Sequence, residues 1–463
     1  MKLLQQIFVG FLLLPGAALW AQVDSTPRQP APAYGLDDTA ISDDPMVTPP
    51  PVSGQSYPVA TASQERSNYL RGGVTFSSAY SDNILGATGS TSAPVSDVSY
   101  SVWPTIALDE TTTRLHWTLN YAPGFTFYQR TSARNEADQN ASISFQYRLS
   151  PHVTFSAMDG FQKTSNVFNQ PDVASAGGVS GGAQGSGLSV IAPIADQLHN
   201  SGNVGITYQF AANEMIGAGG AFTNLHYSNQ PLVPGLYDSE SQGGSAFYAY
   251  RVSKMHYLGV SYQYQRLLSF PTQDQNETQT HAILGFYTLS PSKRFSISMF
   301  GGPQYLDIGP QFSVGTATPL PGSRTWVPSG GASMNWQGQF TSAAVSYSHS
   351  VSSGGGLIGA VHMDATSASL RQQLTRFLGA SLSAGYSQST VVGGLSQGTA
   401  ASTNGHSISG TASLQQQFGQ HLNVQLGYTR VHQNYNIAAI STTPDTNREF
   451  VSVSYQFARP LGR

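Results

Sequence analysis

Three groupings of residues in the chain have the types and spacing to do chemistry. Gly178-Val179-Ser180-Gly181-Gly182 matches the G-x-S-x-G pattern of a serine nucleophile. That pattern works only on a sharp strand-to-helix turn that exposes the hydroxyl. Here it lies in a Gly/Ser-rich loop, where composition alone accounts for the match. His362 and Asp364 stand two apart, so on a strand they share a face. A carboxylate beside an imidazole can orient a general base. The spacing ties no serine or second histidine to them, and ordinary polarity at a lumen or interface is the plainer reading. The 11 histidines form neither H-E-x-x-H nor H-x-x-E-H. With 0 cysteines there is no thiolate for zinc or an iron–sulfur cluster. The expectation is a non-enzyme with no catalytic residue, cofactor or metal.

The third grouping is charge set among apolar neighbours. Arg71, Arg114, Arg148 and Arg251 each fall on the polar parity of an alternating run. Tyr264 precedes Arg266 by two, and Tyr428 precedes Arg430 by two, both on the apolar parity. These residues acquire meaning only from the elements that carry them.

Those elements are strands. In 138–161, Ala141, Ile143, Phe145, Tyr147 and Leu149 alternate with Asn140, Ser142, Ser144, Gln146 and Arg148. Period two gives one apolar and one polar face. Ser150-Pro151-His152 breaks the run as a tight turn, and Val153, Phe155 and Ala157 resume it. Variants of this hairpin recur to the C-terminus. Short breaks at 150–152, 211–213, 253–255, 290–293, 337–339, 375–376 and 419–421 alternate with long ones, the longest at Lys163–Gln197. One rim of short turns and one of long loops predicts a transmembrane antiparallel β-barrel of about 18 strands, or about 16. Asp159 falls on the apolar parity of its strand, which predicts a bulge beside it.

Composition agrees. Only 10% of the 463 residues are charged and 39% are hydrophobic. Soluble domains carry about 25% charged residues. A barrel needs few, because its outer face meets lipid and its inner face can be neutral and polar. The net charge of −3 excludes a basic footprint for nucleic acid. A soluble β-sandwich would need fewer, shorter strands.

Residues 1–21 resemble a secretory signal peptide: Lys2, the apolar run Ile7–Leu14, the break Pro15-Gly16 and a cleavage site after Ala21. An uncleaved anchor is the alternative, though the run is short for one. Residues 22–67 are proline-rich and aperiodic, predicting a disordered periplasmic spacer or arm. The barrel is expected over 68–457 and a short tail over 458–463.

Val451, Val453, Tyr455 and Phe457 alternate with Ser452, Ser454 and Gln456. This resembles the C-terminal strand of bacterial outer-membrane proteins, which implies recognition by the barrel-assembly machinery. At the other end, Ala79-Tyr80-Ser81-Asp82-Asn83-Ile84 resembles the opening of barrels found with exopolysaccharide-export systems. That resemblance implies a porin-like role in moving polysaccharide or small polar solutes.

The expectation is therefore an outer-membrane pore with both termini periplasmic. Arg71, Arg114, Arg148 and Arg251 would line its lumen or its periplasmic rim. Tyr264, Arg266, Tyr428 and Arg430 would meet lipid and lipopolysaccharide at the outer interface. A closed barrel acting through its loops or its proline-rich arm is the alternative.

Overall fold

The computed structural model describes residues 68–84, 94–164, 196–228, 237–271, 275–292, 294–311, 321–352, 360–392, 405–437, 440–442 and 445–460. The leader, the proline-rich segment, the G-x-S-x-G loop and most long connections lie outside them. The chain runs through β1 (Tyr69–Ser81), β2 (Asp97–Thr111), β3 (Leu115–Tyr128), β4 (Glu136–Arg148), β5 (Val153–Thr164) and β6 (Gln197–Ala211). It continues with β7 (Glu214–Tyr227), β8 (Asp238–Ser253), β9 (His256–Phe270), β10 (Asn276–Ser292), β11 (Phe295–Ile308) and β12 (Ser323–Gln337). Then follow β13 (Thr341–Ser352), β14 (Val361–Gln373), β15 (Leu378–Val391), β16 (Gly405–Phe418) and β17 (Leu422–Ile437). A three-residue β18 (Ile440–Thr442) precedes β19 (Asp445–Pro460).

Each long strand pairs antiparallel with the next, and β1 also pairs with β19, so the sheet closes. Short β18 pairs only with the end of β17 inside the last long connection. The wall is therefore an eighteen-strand barrel, the larger of the two expected counts. Its strands run from 12 to 17 residues, more than the about 9–11 needed to cross a bilayer at a tilt. The barrel's first and last residues, Tyr69 and Pro460, pair with each other on the rim of short turns.

Parity holds around the wall. Outward positions carry Phe76, Tyr100, Ile106, Phe125, Ile143, Ile408, Leu426 and Val451, all exposed. Inward positions carry hydroxyls that bond across strands: Thr75 to Ser454 at 2.8 Å, Ser101 to Thr126 at 2.9 Å, Ser346 to Ser367 at 2.7 Å and Ser381 to Ser413 at 2.7 Å. A polar inside and an apolar outside invert the arrangement of a soluble protein.

Two expectations are corrected. The β4–β5 and β5–β6 registers run unbroken through Ile143–Asp159 and Asp159–Gly202, so there is no bulge there. The register shifts instead sit beside short turns, at Gln209/Ala211, Arg251/Ser253 and Leu289/Ser292. Turn geometry absorbs the irregularity there, and Asp159 keeps its outward position. The last strand also continues past Phe457, because Ala458, Arg459 and Pro460 still pair with Arg71, Leu70 and Tyr69.

The Asp82-Asn83 element latches the seam between first and last strands. Asp82 Oδ1 accepts the backbone N–H of Asn447 at 2.8 Å, and its Oδ2 accepts the side-chain amide at 2.7 Å. The backbone N–H of Asp82 donates to the Asn447 carbonyl at 3.2 Å. Thr446 Oγ1 donates to the Asn83 carbonyl at 3.2 Å. Bonds to a charged acceptor contribute about 1.5–3 kcal/mol each. Asp82→Ala is expected to cost about 2–3 kcal/mol, read as a lower urea midpoint of the refolded barrel. Asp82→Asn should fall between the two. An unchanged midpoint for the alanine variant would remove the latch.

Candidate functional site

The lumen is built from inward positions, and the four sequence-singled arginines gather at its short-turn end. Arg71 is the third residue of β1, Arg148 the last of β4, and Arg251 lies two before the end of β8. Arg251 is anchored there: its Nε donates to Asn213 Oδ1 at 3.0 Å and its NH2 to the Ala212 carbonyl at 2.7 Å. Arg114 belongs to the short-turn rim rather than to the lumen wall. It sits exposed in the β2–β3 turn, where its carbonyl accepts the N–H of Arg148 at 2.7 Å. The chain turns before the alternation reaches it, so parity does not apply.

Further cations share this end. Arg371 is inward on β14, and Lys254, Arg294 and Arg376 occupy short turns. Among the described residues, the acids at this level are Asp109, which holds His116 at 3.3 Å, with Glu110 and Glu214. The described residues of the short-turn mouth thus carry an excess of positive charge, and fixed charge of one sign at a mouth concentrates the opposite ion.

Exposure changes along the lumen. Near the short-turn end, inward Gln146, Arg148 and Ser156 are exposed. Toward the long-loop end, inward Thr126, Asp138, Gln197, Ser389 and Gln433 are buried. The long-loop half of the interior is tight, and the short-turn half is mixed: it is exposed on β4 and β5, while inward Thr118, Met215, Ala249 and Gln425 are buried. Inward Arg448 belongs to the tight half, 8% exposed, with its guanidinium 5.5 Å from the Phe450 ring. The even parity of the last strand is the signal that identifies it.

The inner wall also carries aromatic rings that the sequence reading placed nowhere. Phe247, Phe286, Phe300 and Phe450 face inward, each lying on the glycine paired across from it: Gly217, Gly259, Gly331 and Gly427. Trp103 lies the same way on Gly124, where a Cβ would stand 2.5 Å from the indole. A glycine opposite is the identifying signal, and it becomes legible only once register is known. Met215, Ala249, Ala282, Leu284, Phe286 and Phe300 join into an apolar patch on this wall.

The two outer Tyr/Arg pairs face outward near the long-loop rim, and both arginines have acidic partners. Arg266 forks onto Glu277 at 2.8 and 2.9 Å, and Tyr264 lies tilted against His281 with ring centroids 5.1 Å apart. Arg430 reaches Asp445 at 3.3 Å, and Tyr428 donates to Asn447 at 2.6 Å. Aromatics with polar tips extend along this rim through Tyr305 and Trp326.

Asp364 does acquire a second histidine, from the neighbouring strand. His349 is its direct cross-strand partner, and Nδ1 donates to Asp364 Oδ1 at 2.9 Å. Tyr347 donates to the same oxygen at 2.8 Å. His362 stacks on His349 with centroids 5.9 Å apart. The group faces outward near the long-loop rim. It presents an oriented imidazole, and among the described residues no serine or threonine hydroxyl bonds to either ring. The sequence missed His349 because fifteen positions separate two residues that the β13–β14 hairpin sets face to face.

No protein-family model matches the chain, and no curated protein does. Solved structures resemble it in fold. Pseudomonas aeruginosa OpdQ aligns at 11% identity and a TM-score of 0.40, covering 84% of this chain and 99% of that one. Acinetobacter baumannii OccAB4 aligns at 9% and 0.39, covering 85% and 99%. The ferric citrate transporter FecA aligns at 10% and 0.43, covering 84% and 64%.

Proposed function

We propose that this protein is an outer-membrane β-barrel that passes polar solutes by diffusion, export-linked polysaccharide among them, with no covalent step. The observation that carries the reading is the inverted wall: a closed sheet with apolar side chains outside and bonded hydroxyls inside. Closure satisfies every strand edge, which lipid demands. An eighteen-strand barrel encloses more volume than its inward side chains fill. The short-turn rim, with both ends of the barrel, is assigned to the periplasm. Lipopolysaccharide then meets the Tyr264/Arg266 and Tyr428/Arg430 rim, where lipid phosphate competes with Glu277 and Asp445 for the guanidinium groups. The assembly machinery reads the strand ending in Tyr455 and Phe457.

A second reading, a closed barrel acting through its loops, draws on the buried inward residues of the long-loop half. Planar-bilayer recording separates the two. Purified, refolded protein is expected to open in steps and to favour chloride over potassium, because the cationic mouth collects anions. Salt should weaken the preference, since the charges at that mouth are solvated. Neutralising Arg71, Arg148 and Arg371 together should remove it. A folded barrel that inserts and never conducts would overturn the pore.

A further inference from the structure

We infer that one arc of the outer wall, from β5 to β8, is covered by a second copy of this chain rather than by lipid. The inference rests on the membrane reading above. Asp159 lies at the middle of β5, paired with Ile143 on one side and Gly202 on the other. Paired residues share a face, and Ile143 is outward and exposed. The carboxylate therefore points away from the lumen. A Cβ built on Gly202 would stand 3.0 Å from Asp159 Oδ1 and 2.4 Å from the edge of the Phe222 ring. The glycine leaves a notch in which acid and ring edge meet. Among the described residues, none bonds to the Asp159 carboxylate.

The same arc holds more polarity that hydrocarbon cannot satisfy. Asn200 is outward on β6, and its Oδ1 is buried without a partner among the described residues. Asn224, exposed, lies directly across from it. Gly220 and Gly244 pair across β7 and β8 and leave the surface flat. Below them Ile206, Tyr208, Ile216, Ala218 and Tyr248 line an outward groove of about 600 Å³. Around the seam, on β1–β3, β16, β17 and β19, the mid-wall carries what lipid favours: Phe76, Val102, Leu119, Leu414, Leu426 and Val453.

Hydrocarbon offers no donor, and outward charge at mid-bilayer is unfavourable. A protein wall offers donors, and small residues let two walls approach closely. The occupant must itself cross the membrane and present amide donors at this depth. This arc does so, with the amides of Asn200 and Asn224 beside the acceptor Asp159. It also carries projecting rings, Phe222 and Tyr208, beside a groove that can receive them. A surface holding both halves of the match fits another copy of itself, and closed homo-oligomers are the common outcome.

The chain has 0 cysteines, so single cysteines report neighbours cleanly. Val204→Cys and Ala246→Cys, outward on the same arc and outside the proposed bonds, and Leu414→Cys on the opposite arc are oxidised in isolated outer membranes. The first two are expected to give a covalent two-chain band and the third none. The wild-type native mass in mild detergent should be a multiple of the chain mass. Asp159→Leu should fall to a single chain, while Asp159→Asn, which keeps a hydrogen-bonding tip, stays assembled. Heat-modifiable migration reports separately that each barrel is folded in the membrane. Folded single chains of the wild type, with Val204→Cys and Ala246→Cys cross-linking no more than Leu414→Cys, would overturn the inference and leave the membrane reading intact. Protein absent from the membrane fraction would overturn both.

Discussion

Gly302→Val will abolish folding of the barrel, and Gly285→Val will not. The two glycines lie on adjacent strands, β11 and β10, within the same stretch of wall. Gly302 faces inward beside Pro303, and a Cβ there would stand 2.0 Å from the carbonyl oxygen of Ile283. The obstacle is backbone, so no rotamer change relieves it. Ordinary overpacking costs about 1–3 kcal/mol because side chains shift; here two strands must part. Gly285 faces outward, and its nearest obstacle is the Gly301 carbonyl at 3.9 Å. Valine there gains strand propensity and meets lipid. The measurement is the fraction of refolded protein that migrates fast on an unheated gel. Gly302→Ala should fail as well, since the first carbon is the cause. Equal folded fractions for Gly302→Val and Gly285→Val would show that β10 and β11 are not held as described.

Replacing Tyr455 and Phe457 together by serine should lower the folded, membrane-embedded yield by about a hundredfold, which is about 3 kcal/mol. Burial of one such ring contributes about 1.5–3 kcal/mol, and each here is half covered. Both rings face outward on the strand that closes the sheet, 50% and 49% exposed. Phe457 lies across the seam on Gly72, where a Cβ would stand 2.4 Å from the ring. Tyr455 has its centroid 5.8 Å from that of His421 in the last short turn. Serine at both positions uncovers the β1–β19 seam where an open edge is least tolerated. Exchanging the two aromatics, Tyr455→Phe with Phe457→Tyr, preserves the cover and should restore the yield. Normal yield of the double serine variant would remove this strand from its role in closure.

The alternation of 140–149, the short turns at 150–152, 211–213 and 419–421, and the inward Ser and Thr positions were all legible in the chain itself. The pleat makes the face of each side chain a local property, and Pro151, Gly419 or Asn213 in a short break marks a turn without reference to anything distant. The strand count and the outward positions of Tyr264, Arg266, Tyr428 and Arg430 follow from the same local rule. What stands opposite what is not local. Asp82 meets Asn447 across 365 positions, His349 meets Asp364, and Phe300 finds Gly331. Those matches depend on register, which turn geometry and the closure of the whole sheet set together. The unbulged Asp159, the paired Arg266 and the turn position of Arg114 were decided there too, because only the assembled wall fixes how far each strand slides against its neighbours.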